Sequence, residues 1–121
     1  MNIIIAGSRT FTNYSQLLQV MEGAVKAGDL GSRPTIISGT AAGADRLGER
    51  WAEDRGYEII RMPADWDKHG RRAGYLRNVA MAEIADAVYI FWDGSSRGSQ
   101  MMIDIARDRN LPLHITERTN S

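Results

Sequence analysis

Four short segments rich in glycine and hydroxyl side chains are spaced along this chain of 121 residues, at positions 7–10, 38–45, 68–74 and 94–99. Three of them follow a short apolar run typical of a β-strand and precede a helical pattern. Glycine lets a ligand approach the backbone, and exposed amides at helix starts can donate to phosphate oxygens. These segments predict a binding site for a nucleotide or a nucleotide-derived ligand.

The first segment combines a flexible turn with donors and a cation. Gly7 permits a sharp turn after the apolar run, and Ser8 and Thr10 offer hydroxyl donors. Arg9 offers a guanidinium that can bind phosphate through two parallel hydrogen bonds. The position after a strand favours ligand binding, and the alternative is an ordinary turn with a solvated arginine.

The second segment carries the most specific pattern. Small side chains next to a helix start expose backbone amides, and the predicted ligand-binding residues here are Ser38, Gly39, Thr40, Ala42, Gly43 and Asp45. Two roles remain open for Asp45, which falls in the first helical turn. Its carboxylate could accept a hydrogen bond from a ribose hydroxyl, or it could simply interact favourably with the helix dipole.

The third segment leads into a helical pattern and is rich in aromatic and cationic groups. Trp66 could stack on a base, and Arg77 with Asn78 could bind a phosphate group. His69 is a candidate acid or base, although a single loop histidine is more often only solvated.

The fourth segment has the composition of a phosphate-binding loop. The residues expected to contribute are Asp93, Gly94, Ser96, Arg97, Gly98 and Ser99. The segment lacks the Gly-Lys-Ser/Thr ending of a Walker motif, and the first segment lacks the Gly-x-Gly-x-x-Gly dinucleotide fingerprint. These absences weigh against an ATPase and against an NAD-dependent dehydrogenase.

Strands and helices alternate in the pattern of apolar residues. Strands are predicted at 2–6, 34–37, 57–62, 87–92 and 111–115, and helices at 14–27, 43–55, 72–85 and 98–109. This order predicts an α/β fold, a Rossmann-like three-layer α/β/α sandwich with a mainly parallel five-stranded sheet. Residues 1–116 form a single predicted domain, and residues 117–121 a frayed tail. The glycine-rich segments then lie at the carboxyl ends of the strands, where such sheets bind ligands.

Composition narrows the classes of partner. The formal net charge is +0, which gives no reason to expect nucleic acid or an anionic membrane as a partner. Without cysteine and with only 2 histidines, neither disulfides nor a metal site is predicted. No apolar run is long enough to cross a membrane and no secretory signal is visible, so a cytoplasmic protein is expected.

Together these motifs resemble the YspA-type, YpsA-related branch of the SLOG superfamily. The residues that carry the resemblance are Gly7-Ser8-Arg9, the run 38–45, Pro63 to Trp66, Ala73-Gly74 with Arg77-Asn78 and Met81, and the runs 91–94 and 96–98. This Rossmann-like group includes the DprA proteins and the Lonely-guy phosphoribohydrolases. The resemblance implies binding of nucleotides or of signals such as ADP-ribose-like molecules, with no required cofactor. Together with the methionines of helix 98–109, it also implies a homodimer or higher oligomer.

The same comparison bears on catalysis. Arg77, Met81 and Asp86 match the first part of the Lonely-guy motif, but Met102 stands where those hydrolases carry their acidic residue. Glycosidic cleavage needs a carboxylate, and a thioether cannot replace it. Asp45, Asp93 or Asp104 could substitute only with a shifted geometry. A ligand-binding module is therefore favoured, a nucleotide N-glycosidase is the alternative, and DprA-like binding of single-stranded DNA is opposed by the neutral charge.

Overall fold

The computed structural model describes residues 1–118 as an α/β fold around one five-stranded sheet, in which every strand pair is parallel. The strands are β1 (Asn2–Gly7), β2 (Thr35–Ser38), β3 (Glu58–Arg61), β4 (Ala87–Trp92) and β5 (Leu113–Glu117). Helices cover both faces, so the predicted Rossmann-like sandwich is confirmed, with a sheet that is wholly rather than mainly parallel.

The helices agree with the predicted pattern except in one segment. They are α1 (Tyr14–Ala27), α2 (Ala44–Arg55), α3 (Trp66–His69), α4 (Ala73–Ile84) and α5 (Arg97–Asp108). Neither a strand nor a helix was predicted between the strand at 57–62 and the helix at 72–85, but this segment contains α3 and a 3-10 turn at Gly70–Arg72. The side chain of Asp65 caps α3 by accepting a hydrogen bond from the Lys68 amide.

The end of the chain also differs from the expectation. The predicted tail began at Glu117, but β5 extends through that residue, and the Arg118 amide donates to the Trp92 carbonyl at 2.8 Å. Residues 119–121, the remainder of the predicted tail, lie outside the described residues.

Alternation along β1 divides the core between the two faces of the sheet. Ile3 and Ile5 pack with the apolar sides of α1 and α2, whereas Ile4 packs with α4 and α5. The central strands are buried on both sides, which explains their nearly continuous apolar sequences. Gly48 of α2 belongs to this packing, because an added Cβ would lie 2.6 Å from Ile5.

In the strand order β3-β2-β1-β4-β5, the direction in which successive strands are added to the sheet reverses beside β1. From β1 the chain builds β2 and β3 on one side and then returns to add β4 and β5 on the other. In open parallel sheets, the crevice beyond the carboxyl ends at this reversal is the usual ligand site. Among residues 1–118, no helix has the length and apolar character that crossing a membrane requires.

Candidate functional site

A cleft of about 380 Å³ lies beyond the carboxyl ends of β1 and β4, at the reversal of strand order. It brings together ten of the predicted ligand-binding residues, namely Gly7, Ser8, Arg9, Asp45, Arg77, Asn78, Asp93, Ser96, Gly98 and Ser99. Eight others do not line it, namely Ser38, Gly39, Thr40, Ala42, Gly43, Trp66, Gly94 and Arg97. The volume falls within the range of about 300–1,000 Å³ that is typical of small-molecule sites.

The turn after β1 fits tightly against the end of β4. A Cβ added to Gly7 would lie 1.7 Å from the Phe91 carbonyl oxygen, so no larger residue fits there. The Ser8 amide donates to that carbonyl at 3.0 Å, and the Ser8 hydroxyl oxygen accepts from the Asp93 amide at 3.0 Å. Ser8 therefore joins the two loops that form opposite walls of the cleft.

Asp93 organises the loop between β4 and α5. One carboxylate oxygen accepts from the amides of Ser95 and Ser96 at 3.0 and 3.1 Å, and the other accepts from the Thr10 hydroxyl at 3.0 Å. The hydrogen bond from the Ser95 amide is the largest of the interactions that lower the pKa of Asp93 to about 2. Asp93 lines the cleft, but its ionised carboxylate is engaged in hydrogen bonds that connect the loop between β4 and α5 to the turn after β1.

Replacing Asp93 with asparagine is expected to loosen this loop and to weaken ligand binding at least 10-fold, because asparagine presents one acceptor oxygen where the carboxylate presents two. The folded-state pKa lies below the ordinary value of 3.8, so the carboxylate stabilises the fold above that pH and loses this effect as the pH falls towards 2. Thermal unfolding between pH 2 and pH 6 should therefore show the wild type's advantage only above about pH 4.

The matched control is Asp104→Asn, because Asp104 lies on α5 outside this cleft and is bonded to the side chain of Gln100. An equal loss of ligand binding in the two variants would contradict the role assigned to Asp93.

The start of α5 has two unpaired amides, and one of them belongs to Gly98, which lines the cleft. Ser96 caps the helix by accepting from the Ser99 amide at 3.2 Å, and its hydroxyl donates to the Ser99 hydroxyl at 2.8 Å. The amides of Arg97 and Gly98 have no partner within the described residues. Gly98 is exposed, and an added Cβ would meet nothing within 4 Å. This helix start has the features of an anion site.

Two arginines face the same cleft in different states. Arg77 is half-buried and donates to the Gly39 carbonyl and, at 2.8 Å, to the Asn78 side-chain oxygen. Burial lowers the pKa of Arg77, and the charge of Asp45 partly opposes this effect. Arg9 is exposed and forms no hydrogen bond or ion pair with another described residue. Arg9 is therefore the more available cation, and Arg77 is a positioned one.

Asp45 is the most deeply buried carboxylate of the cleft, with an exposed fraction of 5%. One of its oxygens accepts from the Ala41 amide at 3.1 Å. Burial raises the pKa of Asp45 to about 6, although the Ala41 hydrogen bond and the charges of Arg77 and Arg9 act in the opposite direction. Within residues 1–118, no group of three or more histidine, cysteine, aspartate or glutamate side chains is placed to hold a metal ion.

Several residues of the second predicted segment position the cleft from outside it. The Ser38 hydroxyl donates to Glu49 at 2.6 Å and accepts from the Thr40 amide. Gly43 has a φ of +82°, and an added Cβ would lie 2.2 Å from the Ser8 carbonyl oxygen. At Gly39 an added Cβ would lie 2.6 Å from the Arg77 guanidinium, so a side chain there would displace Arg77. The glycines at 39 and 43 thus permit close packing between loops.

Trp66 and Arg97 lie elsewhere. Trp66 begins α3 with an exposed fraction of 53%, and its ring lies beside Gly74. Arg97 lines a second, shallower depression on the outer sides of α4 and α5 together with Tyr75. No contact in the structure assigns either residue to the main cleft, so their ligand-binding roles stay predictions.

The cleft also contains residues that were not predicted to touch a ligand, namely Ala6, Ala41, Met81 and Met102. Met102 is one helical turn beyond Gly98, so the spacing of four residues already placed both on one side of α5. Its position in the wall means that this part of the cleft is lined by a thioether rather than by a carboxylate.

Comparison with known proteins identifies the family. The family described as YspA, cpYpsA-related SLOG matches residues 1–69, more than half of the chain. The chain belongs to the YspA, cpYpsA-related SLOG family. The matched region of this SLOG protein contains the β1 turn and the segment from Ser38 to Asp45. The chain is also similar to the Gene 61 protein of Mycobacterium phage D29, with 28% identity over 117 residues and 92% of each chain covered.

Proposed function

We propose that this SLOG protein binds a nucleotide or nucleotide-derived ligand, such as a nucleoside phosphate or an ADP-ribose-like molecule, in order to sense or sequester it. The observation that carries the proposal is the unpaired amide of Gly98 at the start of α5, in a cleft that also contains Arg9 and Arg77. Family membership is consistent with a nucleotide-related role.

The proposed phosphate position follows from electrostatics. The amino-terminal end of a helix carries a partial positive charge, and unpaired amides there can donate directly to phosphate oxygens. The free guanidinium of Arg9 adds a full charge that can bind two oxygens. Gly98 has no side chain, so a ligand can approach its amide closely.

Binding without turnover is favoured by the state of the carboxylates. Met102 contributes a thioether to the wall, the oxygens of Asp93 are held by its own loop and Thr10, and Asp104 lines the second depression. An N-glycosidase remains the second candidate because of one observation. Asp45 lies in the cleft with a pKa raised to about 6, which suits proton transfer near neutral pH.

A thermal-shift series with AMP, ADP-ribose and inorganic phosphate tests the proposal. A ligand present at 100 times its dissociation constant stabilises the folded protein by about 2.7 kcal/mol, so a rise of several degrees in Tm is expected. The same samples are then analysed by chromatography for free adenine. Intact ligand with a raised Tm supports binding, and sustained adenine release identifies the N-glycosidase. An unchanged Tm with every ligand contradicts the proposal.

DNA binding and oligomer formation are supported by fewer observations than nucleotide binding. Single-stranded DNA binding remains disfavoured by the net charge of +0, and salt-sensitive binding to an oligonucleotide is the result that would revive it. We also propose that the protein is cytoplasmic and forms a homo-oligomer. The methionines of α5 give little support for the oligomer. Met102 is 1% exposed and packs in the core, so the resemblance is the argument that remains for an oligomer.

A further inference from the structure

The cleft contains groups of opposite charge. The start of α5, with Gly98 and Ser99, and the unpaired cation of Arg9 favour an anion. Asp45 is a wall residue that carries the opposite charge when it is ionised. A phosphate placed against an ionised carboxylate is repelled, so an anionic ligand is expected to direct its phosphate to the helix start and an uncharged, hydroxyl-bearing part to Asp45.

One carboxylate oxygen of Asp45 is fixed by a hydrogen bond, and the other has no hydrogen-bond partner among the described residues. The side chain is 95% buried, given its exposed fraction of 5%, and Oδ2 accepts from the Ala41 amide. Oδ1 accepts no hydrogen bond from the described residues. A carboxylate oxygen that has no protein partner and lies in the cleft can accept a hydrogen bond from a ligand hydroxyl.

The surroundings of Asp45 keep that oxygen free. The Asp45 carboxylate and the Arg77 guanidinium both lie close to Gly39. A Cβ added to Gly39 would lie 2.9 Å from the carboxylate and 2.6 Å from the guanidinium. No ion pair joins Asp45 to Arg77 in the described part of the chain, because Arg77 donates to the Gly39 carbonyl and to Asn78 instead. Arg77 thus lies near the Asp45 carboxylate without donating a hydrogen bond to it.

We propose that Asp45 selects a ribose-containing ligand by accepting a hydrogen bond from the sugar hydroxyls while the phosphate occupies the start of α5. This inference rests on the proposed function and adds the identity of the sugar. Hydrogen bonds to charged groups contribute about 1.5–3 kcal/mol, which corresponds to a preference of about 10-fold or more. A site built to bind a hydroxyl rejects analogues that lack it, because its acceptor is then left unpaired.

The helix itself offers a matched control. Glu49 is one turn beyond Asp45, is 7% exposed and does not line the cleft. Its two carboxylate oxygens are bonded to Ser38 and Arg61, at 2.6 and 2.8 Å. Asp45→Asn and Glu49→Gln each replace one carboxylate by an amide on the same helix, but only the first changes a residue that lines the cleft.

Isothermal titration calorimetry at pH 7.5 with AMP, 2′,3′-dideoxy-AMP and inorganic phosphate tests the inference. The wild type and Glu49→Gln are expected to bind AMP at least about 10-fold more tightly than the dideoxy analogue. Asp45→Asn is expected to lose this preference while its affinity for inorganic phosphate stays equal or increases, because a negative charge has been removed.

Equal affinity of the wild type for AMP and its dideoxy analogue would overturn the inference and leave the proposed function standing. A preference that persists in Asp45→Asn, or that disappears equally in Glu49→Gln, would also overturn it. If the wild type binds neither AMP nor phosphate, the proposed function fails and the inference fails with it. The wild-type comparison needs no variant, so it decides the question even if Asp45→Asn does not fold.

Discussion

Replacing Gly43 with alanine is expected to destabilise the fold strongly, whereas the same replacement at Gly98 is expected to leave the fold intact and to abolish ligand binding. At Gly43 the φ of +82° disfavours any side chain, and the new Cβ would lie 2.2 Å from the Ser8 carbonyl and 2.5 Å from that of Arg9. Backbone strain and overpacking together should lower the free energy of unfolding by about 3 kcal/mol or more.

At Gly98 the new methyl group meets nothing within 4 Å in the ligand-free protein. Alanine is a better helix former than glycine, so the free energy of unfolding should stay the same or increase by up to about 1 kcal/mol. The methyl group, however, would stand where a phosphate oxygen must approach the amide. Urea unfolding curves and AMP titrations of both variants check the pair. Similar unfolding midpoints for the two, or unimpaired AMP binding by Gly98→Ala, would contradict the roles assigned to these glycines.

Replacing Asp45 with asparagine is expected to stabilise the ligand-free protein near neutral pH. Burial raises the folded-state pKa of Asp45 from 3.8 to about 6, so the folded protein holds the proton more tightly than the unfolded chain. The stabilisation from that proton is fully present below pH 3.8 and is lost as the pH rises through about 6. The carboxylate therefore costs up to about 3 kcal/mol at pH 7.5.

Urea unfolding at pH 4, 5.5 and 7.5 measures this cost. Relative to the wild type, Asp45→Asn should gain stability progressively across the series, with the largest gain at pH 7.5. Asp104→Asn serves as the control, because it makes the same chemical change at an exposed residue outside the cleft. A constant difference between Asp45→Asn and the wild type at all three pH values would contradict the raised pKa.

The strands of the sheet could be predicted from the sequence because the central ones are buried on both faces. Ala87–Trp92 is a continuous apolar run, and its predicted bounds agree with those of β4. The final strand was placed two residues too early, because β5 is only partly buried and its sequence carries little periodic signal. The short helix α3 was missed since it depends on a single capping residue, Asp65, in a polar segment.

The site was predictable to the level of loops but not of individual glycines. Gly43 and Gly98 have the same local signature in the sequence, yet one permits close packing against Ser8 and the other faces open space. That distinction depends on tertiary contacts between segments far apart in the chain. The same applies to Asp45, whose burial and hydrogen bond to the Ala41 amide could not be predicted from the sequence.

The most direct test of the central claim is a titration of ¹⁵N-labelled protein with AMP, followed by amide chemical shifts. Binding in the main cleft predicts that the amides of Gly98, Ser99 and Arg9 shift together, while those of Tyr75 and Asp108 in the second depression do not. Shifts confined to Tyr75 and Asp108, or no shift at millimolar AMP and ADP-ribose, would contradict a nucleotide site at the reversal of strand order.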